Sequence, residues 1–390
     1  MKSINKNLLD IEQSITVEIA DKVREMEQKG IKVIKFQTGE PDFPTPKVII
    51  DSAYKAMREG LTKYSASRGL PQLREAIANK LKQENGLEYD PAKEILVTHG
   101  GVHGVFVTIH SLINKGDEVL IIDPCWMPYV SIVTISGGIP IRIPTVPEKR
   151  FKISPQEIEK YITKKTKMLI LNNPCNPSGA LYSENELKEL ARLIERYDLY
   201  VLADEVYEKI IFDGFTHTSF ASIDRMKQRT ILVNSFSKTY AMTGWRIGYI
   251  ATDASLLSQI LKMSQYSITN VCTFNQFGAI TALTNDSVKE FVEHTKEIYE
   301  RRRNLLVNGL NSIDGINAIM PQGTFYVMVD ISSYNRSSVD FANFLLEKAH
   351  IATVPGVGFG KCTEGFIRMH FAISENEIEE AIERMRKLLK

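Results

Sequence analysis

A single lysine, Lys238, follows directly after a short apolar run and lies among small hydroxyl residues. The run, residues 230–234, is apolar and β-branched, which predicts a buried strand. A cation at the end of a buried strand is costly unless it has a partner or a chemical role. The chemical role open to Lys238 is that of a nucleophilic amine that forms a Schiff base. The ordinary alternative is a solvated loop lysine, and the lysine alone does not decide between the two.

Other residues with chemical potential also follow directly after predicted strands. They are Gly100 and Gly101, Trp126, Asn176, Asp204 and Tyr207. In an open, mostly parallel sheet the carboxyl ends of the strands meet at one edge, where ligands bind. Each residue also has an ordinary structural explanation, such as a tight turn, a helix cap or core packing. Because so many of them follow strands, we expect them to converge with Lys238 on one site.

Predicted strands and helices alternate over residues 90–250, and this alternation predicts the fold that must position the site. It indicates an α/β fold, with a three-layer αβα large domain around a mostly parallel sheet. A chain of 390 residues is too long for one small core. We predict a large domain over residues 45–285 and a smaller α+β domain built from both chain ends, residues 1–44 and 286–390. Helices are expected over residues 1–30, 254–285 and 287–312, among others.

Composition excludes several classes of function. The formal net charge is +1 and 24% of the residues are charged, so nothing indicates binding to nucleic acid or to an anionic membrane. The four cysteines are widely spaced without a CxxC pair, and no set of residues has metal-ligand spacing, so we expect a reducing compartment and no metal. Neither a secretory signal nor an apolar run of about 18 residues is present. We therefore expect a cytoplasmic protein without a membrane span.

Together the residues at the sheet edge offer what pyridoxal phosphate requires. The aldehyde of this cofactor takes a lysine, here Lys238, and its ring nitrogen needs a carboxylate, here Asp204. Its phosphate needs hydrogen-bond donors and an arginine. Donors of that kind are Gly100, Gly101, Ser235, Ser237 and Arg246. The remaining residues suit the ring: Asn176 and Tyr207 offer hydrogen bonds to its oxygen, and Trp126 offers a flat surface.

The chain resembles the class I aminotransferases, which are fold-type I pyridoxal-phosphate enzymes, and among them the bacterial and archaeal aspartate/aromatic branch. The resemblance covers essentially the whole chain. It is carried by residues 39–46 (GEPDFPTP), Tyr64 in its loop, residues 173–179 (NPCNPSG), residues 204–207 (DEVY), residues 235–248 (SFSK through Gly248) and Arg368. Taken jointly, these motifs imply an aminotransferase that works by ping-pong half-reactions.

The resemblance also implies how the cofactor is held. Lys238 would form the Schiff base and then move the substrate Cα proton, while Asp204 would pair with the ring nitrogen. Tyr207 and Asn176 would bond the phenolic oxygen, and Trp126 would stack on the ring. The phosphate would be held by Gly100, Gly101, the backbone N–H of Val102, Ser235, Ser237 and Arg246.

The substrate and the partner subunit have implied residues of their own. Arg368 would bind the substrate α-carboxylate in a bidentate fork, helped by Gly39, Trp126 and Asn176. A surface ion pair is the alternative for Arg368, but its apolar strand argues against one. Tyr64 would reach the phosphate of the neighbouring subunit, so a homodimer is expected.

One position departs from the pattern of the branch. Aspartate-preferring members often have a lysine after the two glycines, and here the residue is Val102. This favours aromatic or large neutral amino acids over a strict aspartate preference, with 2-oxoglutarate as the expected 2-oxo acid. Candidate groups for a distal carboxylate are His103, Tyr129, Lys63 or a side chain of the partner subunit.

Other functions remain open from the sequence. On the same fold, a C–S lyase or a related elimination is the nearest alternative. A ligand-sensing regulator would need a DNA-binding domain, yet only about 40 residues precede the first proline-rich motif and they carry no basic patch. A catalytically silent binding protein is disfavoured by the presence of Lys238, Asp204 and Arg368 together.

Overall fold

A computed structural model describes residues 6–9, 11 and 15–390 of the chain. The expected helix over residues 1–30 therefore lies partly outside the described residues. Within them, Lys6–Leu9 and Ile15–Gln28 are helical. No helix in these ranges is long and apolar enough to cross a membrane.

The helices and strands alternate as the sequence predicts. The helices of the described residues are α1 (Lys6–Leu9), α2 (Ile15–Gln28), α3 (Lys47–Arg58), α4 (Pro71–Asn85), α5 (Gly100–Leu112), α6 (Pro128–Ile135), α7 (Pro155–Glu159), α8 (Glu184–Arg196), α9 (Phe236–Thr239), α10 (Ala254–Ile268), α11 (Thr273–Thr284), α12 (Asp286–Asn311), α13 (Ser338–Ala349) and α14 (Glu375–Leu388). The strands are β1 (Ile34–Lys35), β2 (Ile95–Thr98), β3 (Glu118–Ile122), β4 (Ile139–Ile143), β5 (Thr166–Asn172), β6 (Tyr200–Asp204), β7 (Thr230–Ser235), β8 (Gly248–Ala251), β9 (Asn317–Ala318), β10 (Tyr326–Asp330), β11 (Ile351–Ala352), β12 (Val354–Pro355) and β13 (Phe366–His370).

The large sheet has seven strands in the order β2-β8-β7-β6-β5-β3-β4. Strands β3 to β7 pair in parallel, and β8 runs antiparallel to both of its neighbours, β2 and β7. Alternate residues of β6 face opposite layers: Leu202 packs with helix α5, whereas Val201 and Ala203 pack with α8. Helices therefore cover both faces, as period-two alternation in a buried parallel strand requires. The predicted α/β fold with a mostly parallel sheet is confirmed.

A second, antiparallel sheet has the order β12-β13-β10-β9 and packs against α12, α13 and α14. The N-terminal segment joins this part of the chain because β1 pairs in parallel with β11, with Ile34 opposite Ile351. Residues from both chain ends thus share one apolar core. The domain boundaries at residues 45 and 285 stay a prediction.

Two helical segments differ from their expected bounds. The segment expected over residues 254–285 is two helices, α10 and α11, because Thr269 adopts a left-handed φ of 60° that ends the first. Helix α6 was not predicted, although Pro128 occupies its first turn, a position that tolerates proline.

Candidate active site

A cavity of about 1180 Å³ opens at the carboxyl edge of the large sheet. Twelve of the fourteen predicted site residues line it: Gly39, Gly101, Val102, Trp126, Asn176, Asp204, Tyr207, Ser235, Ser237, Lys238, Arg246 and Arg368. The expected convergence is therefore observed. The two exceptions are Gly100, which packs behind Arg246, and Tyr64, whose surface is 89% exposed.

Lys238 reaches the cavity from the short helix that follows β7. Ser235 caps this helix: its Oγ accepts a hydrogen bond of 3.1 Å from the Ser237 N–H. The Lys238 Nζ donates to the carbonyl of Gly39 and lies 5.7 Å from the centre of the Phe325 ring. Its surroundings are thus aromatic, with one backbone acceptor. These contacts hold the amine at the cavity wall.

Asp204 ends β6 and is only 5% exposed. Its Oδ2 accepts a hydrogen bond of 2.5 Å from the Tyr129 hydroxyl, and its Oδ1 accepts one of 3.3 Å from the Val206 N–H. Burial raises the pKa of Asp204 to about 6, although both hydrogen bonds act in the opposite direction. A cation beside this carboxylate would favour the ionised form.

The glycines that follow β2 and the glycine that begins β8 bring the backbone close to a cluster of donors. Gly100 has a φ of 76°, and a Cβ there would lie 2.4 Å from Nη2 of Arg246. A Cβ on Gly248 would lie 2.9 Å from the backbone N of Gly101. The hydroxyls of Ser235 and Ser237 are 2.9 Å apart beside them. Free N–H groups at the start of a 13-residue helix, two hydroxyls and a guanidinium form a site suited to a phosphate.

Arg368 lies on β13 and is 4% exposed, so the surface ion pair is excluded. Its guanidinium carbon lies 4.2 Å from the Tyr326 ring centre and 4.8 Å from that of Phe359. Nη1 donates to Asn176 Oδ1 at 3.1 Å, and Nη2 donates to the Gln37 carbonyl at 3.0 Å. Its buried Nε has no hydrogen-bond partner among the described residues. A buried cation held only by neutral acceptors is suited to a carboxylate ligand.

Tyr207 lines the same cavity as Asp204 and Arg368. Its hydroxyl donates to the Tyr326 Oη at 3.2 Å, and burial raises its pKa well above the usual value. The loop that carries Asn176 is held because Asn172 accepts from the Asn176 N–H at 2.8 Å and donates to the Asp204 carbonyl at 3.0 Å.

Several lining residues were not predicted as part of the site. They are Gln37, Arg142, Tyr326 and Phe359. Tyr129 was predicted for a different role, since its hydroxyl is engaged by Asp204 and not directed at a substrate carboxylate. The sequence signal for Tyr129 was its position just after Trp126. The others are distant in sequence from the motifs, and nothing local marks them.

Behind the cavity, Glu208 belongs to a buried network of polar side chains. It accepts from the Lys80 ammonium, from Asn85 Nδ2 at 2.9 Å and from Asn234 Nδ2 at 2.7 Å. Among the described residues, Glu205, Glu208 and His217 have ligand atoms within 4.8 Å of one another, the spacing of a metal site. Because the Glu208 oxygens already accept three hydrogen bonds, including one from an ammonium, we interpret the cluster as an ion-pair network.

Replacing Glu208 with glutamine is expected to lower the free energy of unfolding by about 3 kcal/mol at pH 7. Burial opposes ionisation of Glu208, but Lys80 and the other donors lower its pKa from 4.5 to about 2, and each pKa unit corresponds to about 1.4 kcal/mol. A folded pKa below the unfolded one stabilises the fold above about pH 4.5, and that contribution is lost as pH falls toward 2. Urea unfolding at pH 7, 4 and 3 measures it.

The matched control for this prediction is Glu27→Gln. Glu27 pairs with Lys35 at 3.0 Å, but its side chain is 40% exposed, so we expect less than about 1 kcal/mol. Equal losses for the two variants, or a Glu208→Gln loss that does not shrink as pH falls, would contradict the assignment.

The fold and the cavity agree with the family to which the chain is similar. The chain belongs to the family of class I and class II aminotransferases, whose model matches residues 31–385. Enzymes of this family depend on pyridoxal phosphate. The protein is therefore a pyridoxal-phosphate-dependent transaminase that acts on amino acids and 2-oxo acids.

Individual relatives cover nearly the whole chain. The probable aspartate/prephenate aminotransferase of Aquifex aeolicus is 40% identical over 100% of this chain and 99% of its own length. The aromatic-amino-acid aminotransferase 2 of Thermococcus litoralis is 39% identical over 93% of each chain. The solved structure of the Thermus thermophilus aspartate aminotransferase with maleate superposes with a TM-score of 0.95, at 37% identity over 100% of each chain.

Proposed function

We propose that this transaminase moves the amino group of an aromatic, large neutral or aspartate-type L-amino acid to 2-oxoglutarate by ping-pong half-reactions. The observation that carries the proposal is the meeting of Lys238, Asp204 and Arg368 in one cavity. Relatives named for aspartate, prephenate and aromatic amino acids support the substrate range. The relative solved with maleate, a dicarboxylate, supports a dicarboxylic partner substrate.

The residues present fit pyridoxal phosphate. The buried Asp204 has a raised pKa and is suited to a protonated ring nitrogen. The Lys238 amine lines the same cavity and would hold the aldehyde. The cluster of Gly101, Ser235, Ser237 and Arg246 lines the cavity and would hold the phosphate, together with Gly100, which packs behind Arg246, and the N–H of Val102. When bound, the cofactor supplies an electron sink for the bonds broken at the substrate Cα.

The chain's own residues then orient the substrate and move a proton. Arg368 offers an unpartnered Nε to the α-carboxylate, with Asn176 and Gly39 at its side. The Lys238 Nζ, within reach of the Gly39 carbonyl, takes the Cα proton and returns it. Trp126 and Tyr207 line the cavity and would limit the access of water to the reacting atoms.

The half-reaction tests this function. Holoenzyme mixed with one L-amino acid and no 2-oxo acid is expected to release one equivalent of the matching 2-oxo acid and to lose the absorbance of the aldehyde form. Addition of 2-oxoglutarate should restore that absorbance. Release of pyruvate and sulfide from a cysteine conjugate would instead establish the C–S lyase and overturn the proposal.

We further propose a homodimer that completes the site, with a large domain over residues 45–285 and a small domain from residues 1–44 and 286–390. Helix α3 buries Ile49, Ala53 and Ala56 but exposes an apolar stripe. The stripe consists of Ile50, Tyr54 and Met57. Exposed apolar side chains at helical spacing are typical of a covered surface, and the exposed Tyr64 follows shortly after α3.

Mixed dimers test the role of Tyr64 across subunits. A dimer of one Lys238→Ala subunit and one Tyr64→Ala subunit should keep one intact site, because the second subunit retains Lys238 and receives Tyr64 from the first. We expect that site to bind cofactor about 10- to 100-fold more tightly than the Tyr64→Ala homodimer, the loss for one hydrogen bond to a charged group. Fluorescence titration of the purified mixed dimer measures it. Equal affinity in both dimers would show that Tyr64 does not act across subunits.

A further inference from the structure

A dicarboxylic substrate, required by the proposed function, needs a donor for its second carboxylate besides Arg368. Of the groups that the sequence suggested within one chain, none is placed for this, since the Tyr129 hydroxyl is engaged by Asp204. The His103 ring is held by the His99 N–H at 3.2 Å and by Ser267 Oγ at 2.8 Å. Burial lowers the pKa of His103 to about 4, so it is neutral at pH 7. Lys63 and His103 are not among the residues that line the cavity.

The cationic side chains that do line the cavity narrow the choice. They are Arg142, Lys238, Arg246, Lys361 and Arg368. Three of these have proposed roles at the cofactor or the α-carboxylate, which leaves Arg142 and Lys361. Glu18 and Glu40 also line the cavity, so a second carboxylate needs a specific cation and not a generally positive wall.

The Arg142 guanidinium is fixed by hydrogen bonds through Nε and Nη2, whereas its Nη1 remains available as a donor. Its Nε donates to Asp123 Oδ2 at 2.8 Å, and its Nη2 donates to Asp123 Oδ1 at 3.0 Å and to the Phe359 carbonyl at 3.0 Å. No described residue accepts from Nη1. The Arg142 side chain is 30% exposed, whereas that of Asp123 is 7% exposed. The buried carboxylate thus fixes the guanidinium, and its remaining N–H groups are available at the cavity wall.

Phe359 contacts both Arg142 and Arg368, and so links the positions of the two arginines. The carbonyl of Phe359 accepts from Arg142, and its ring lies 4.8 Å from the guanidinium carbon of Arg368. One residue therefore separates the two guanidinium groups. The same loop is held a second time, because the Cys125 N–H donates to the Phe359 carbonyl at 3.0 Å. Two fixed cations on either side of one aromatic residue match a ligand with a carboxylate at each end.

We propose that Arg142, positioned by Asp123, binds the second carboxylate of dicarboxylic substrates, and so replaces the lysine that Val102 does not provide. Lys361 lacks a comparable scaffold: it is exposed, and no described carboxylate pairs with it. A planar guanidinium held in one orientation discriminates carboxylates better than a flexible ammonium.

Single-turnover half-reactions of the holoenzyme test this proposal. For Arg142→Met, the ratio of kcat/KM for L-aspartate to that for L-phenylalanine should fall by roughly 10- to 100-fold, the loss of a charge-assisted hydrogen bond. Arg142→Lys should recover part of the ratio. Succinate, titrated into the holoenzyme and followed by cofactor absorbance, should bind more weakly to Arg142→Met by a similar factor.

Lys361→Met is the matched control and should change the ratio by less than about threefold, as expected for an exposed charge. An equal loss for both amino acids in Arg142→Met would show that Arg142 only holds the Phe359 loop, and it would overturn the proposal. A selective loss in Lys361→Met would overturn it as well.

Two further measurements separate the proposal from folding defects and from the proposed function. If Arg142→Met does not fold because Asp123 is left unpaired, the double variant Asp123→Asn/Arg142→Met removes that charge and is held to the same criterion. A wild-type enzyme that reacts with L-phenylalanine but with no dicarboxylate would refute this inference alone. A wild-type enzyme that reacts with no amino acid would refute the aminotransferase.

Discussion

Replacing Lys238 with alanine is expected to reduce turnover by at least about 10²- to 10⁴-fold, the range for loss of a positioned proton-transfer group. Among the described residues that line the cavity, the other amine is Lys361, which is exposed, while Arg246 and Arg368 are guanidinium groups, which stay protonated. Single-turnover release of 2-oxo acid from L-phenylalanine, compared with wild type, measures the effect.

The Lys238→Ala variant should still capture pyridoxal phosphate, with weaker affinity, because Asp204, Ser235 and Arg246 remain. Lys238→Arg is the matched control: it keeps the positive charge near the Gly39 carbonyl but removes the nucleophilic amine, so it should be as inactive as alanine. Full turnover in either variant would end the assignment of Lys238 as the acting amine.

Replacing Asp204 with asparagine is expected to lower kcat by about 10²- to 10³-fold, the size found when a preorganised electrostatic partner is removed. The amide keeps the shape of the side chain beside Tyr129 and Val206 but carries no charge to hold a proton on the ring nitrogen. Comparison of the pH profiles of kcat for Asp204→Asn and wild type measures the effect. Asp204→Glu, which keeps the charge, should retain more activity than Asp204→Asn.

The raised pKa of Asp204 also predicts that Asp204→Asn, which loses activity, gains stability in the absence of the cofactor. In the ligand-free protein, burial raises the pKa of the Asp204 carboxyl from the ordinary 3.8 to about 6. The folded state therefore binds more protons than the unfolded state between those values, and Asp204 destabilises the ligand-free fold as pH rises through that window. Asp204→Asn should raise the free energy of unfolding at pH 7 by up to about 3 kcal/mol, from about 1.4 kcal/mol per pKa unit.

Cofactor binding provides the check on this linkage. A cationic ring nitrogen favours ionised Asp204, so wild-type affinity for pyridoxal phosphate should fall as pH drops below about 6. The affinity of Asp204→Asn should lack the part of that decline due to Asp204. Identical pH dependence in the two proteins would show that the carboxylate does not meet the ring.

Much of the fold can be predicted from local patterns in the sequence. Apolar runs alternating with amphipathic segments predict strands and helices, and a capping box such as Ser154 with Glu157 marks a helix start. The bounds are less accurate where local propensity continues but the backbone turns, as at Thr269.

The sequence by itself determined the reacting groups of this protein. Lys238, Asp204, Asn176 and the glycines Gly100 and Gly101 each follow a strand, and strand ends of a parallel sheet share one edge, so their meeting required no knowledge of distant contacts. Their types and their positions at strand ends indicated pyridoxal-phosphate chemistry, and the resemblance to a known family then implied an aminotransferase.

Only the tertiary structure decided the surroundings of those groups. The Tyr129 hydroxyl meets Asp204 across 75 residues, and Arg142 meets the Phe359 carbonyl across 217. Contacts of that separation depend on how the two sheets and their loops pack, and no local pattern reports them. For that reason the sequence indicates an amine, a carboxylate and an arginine, whereas the second carboxylate site at Arg142 is found only in the folded chain.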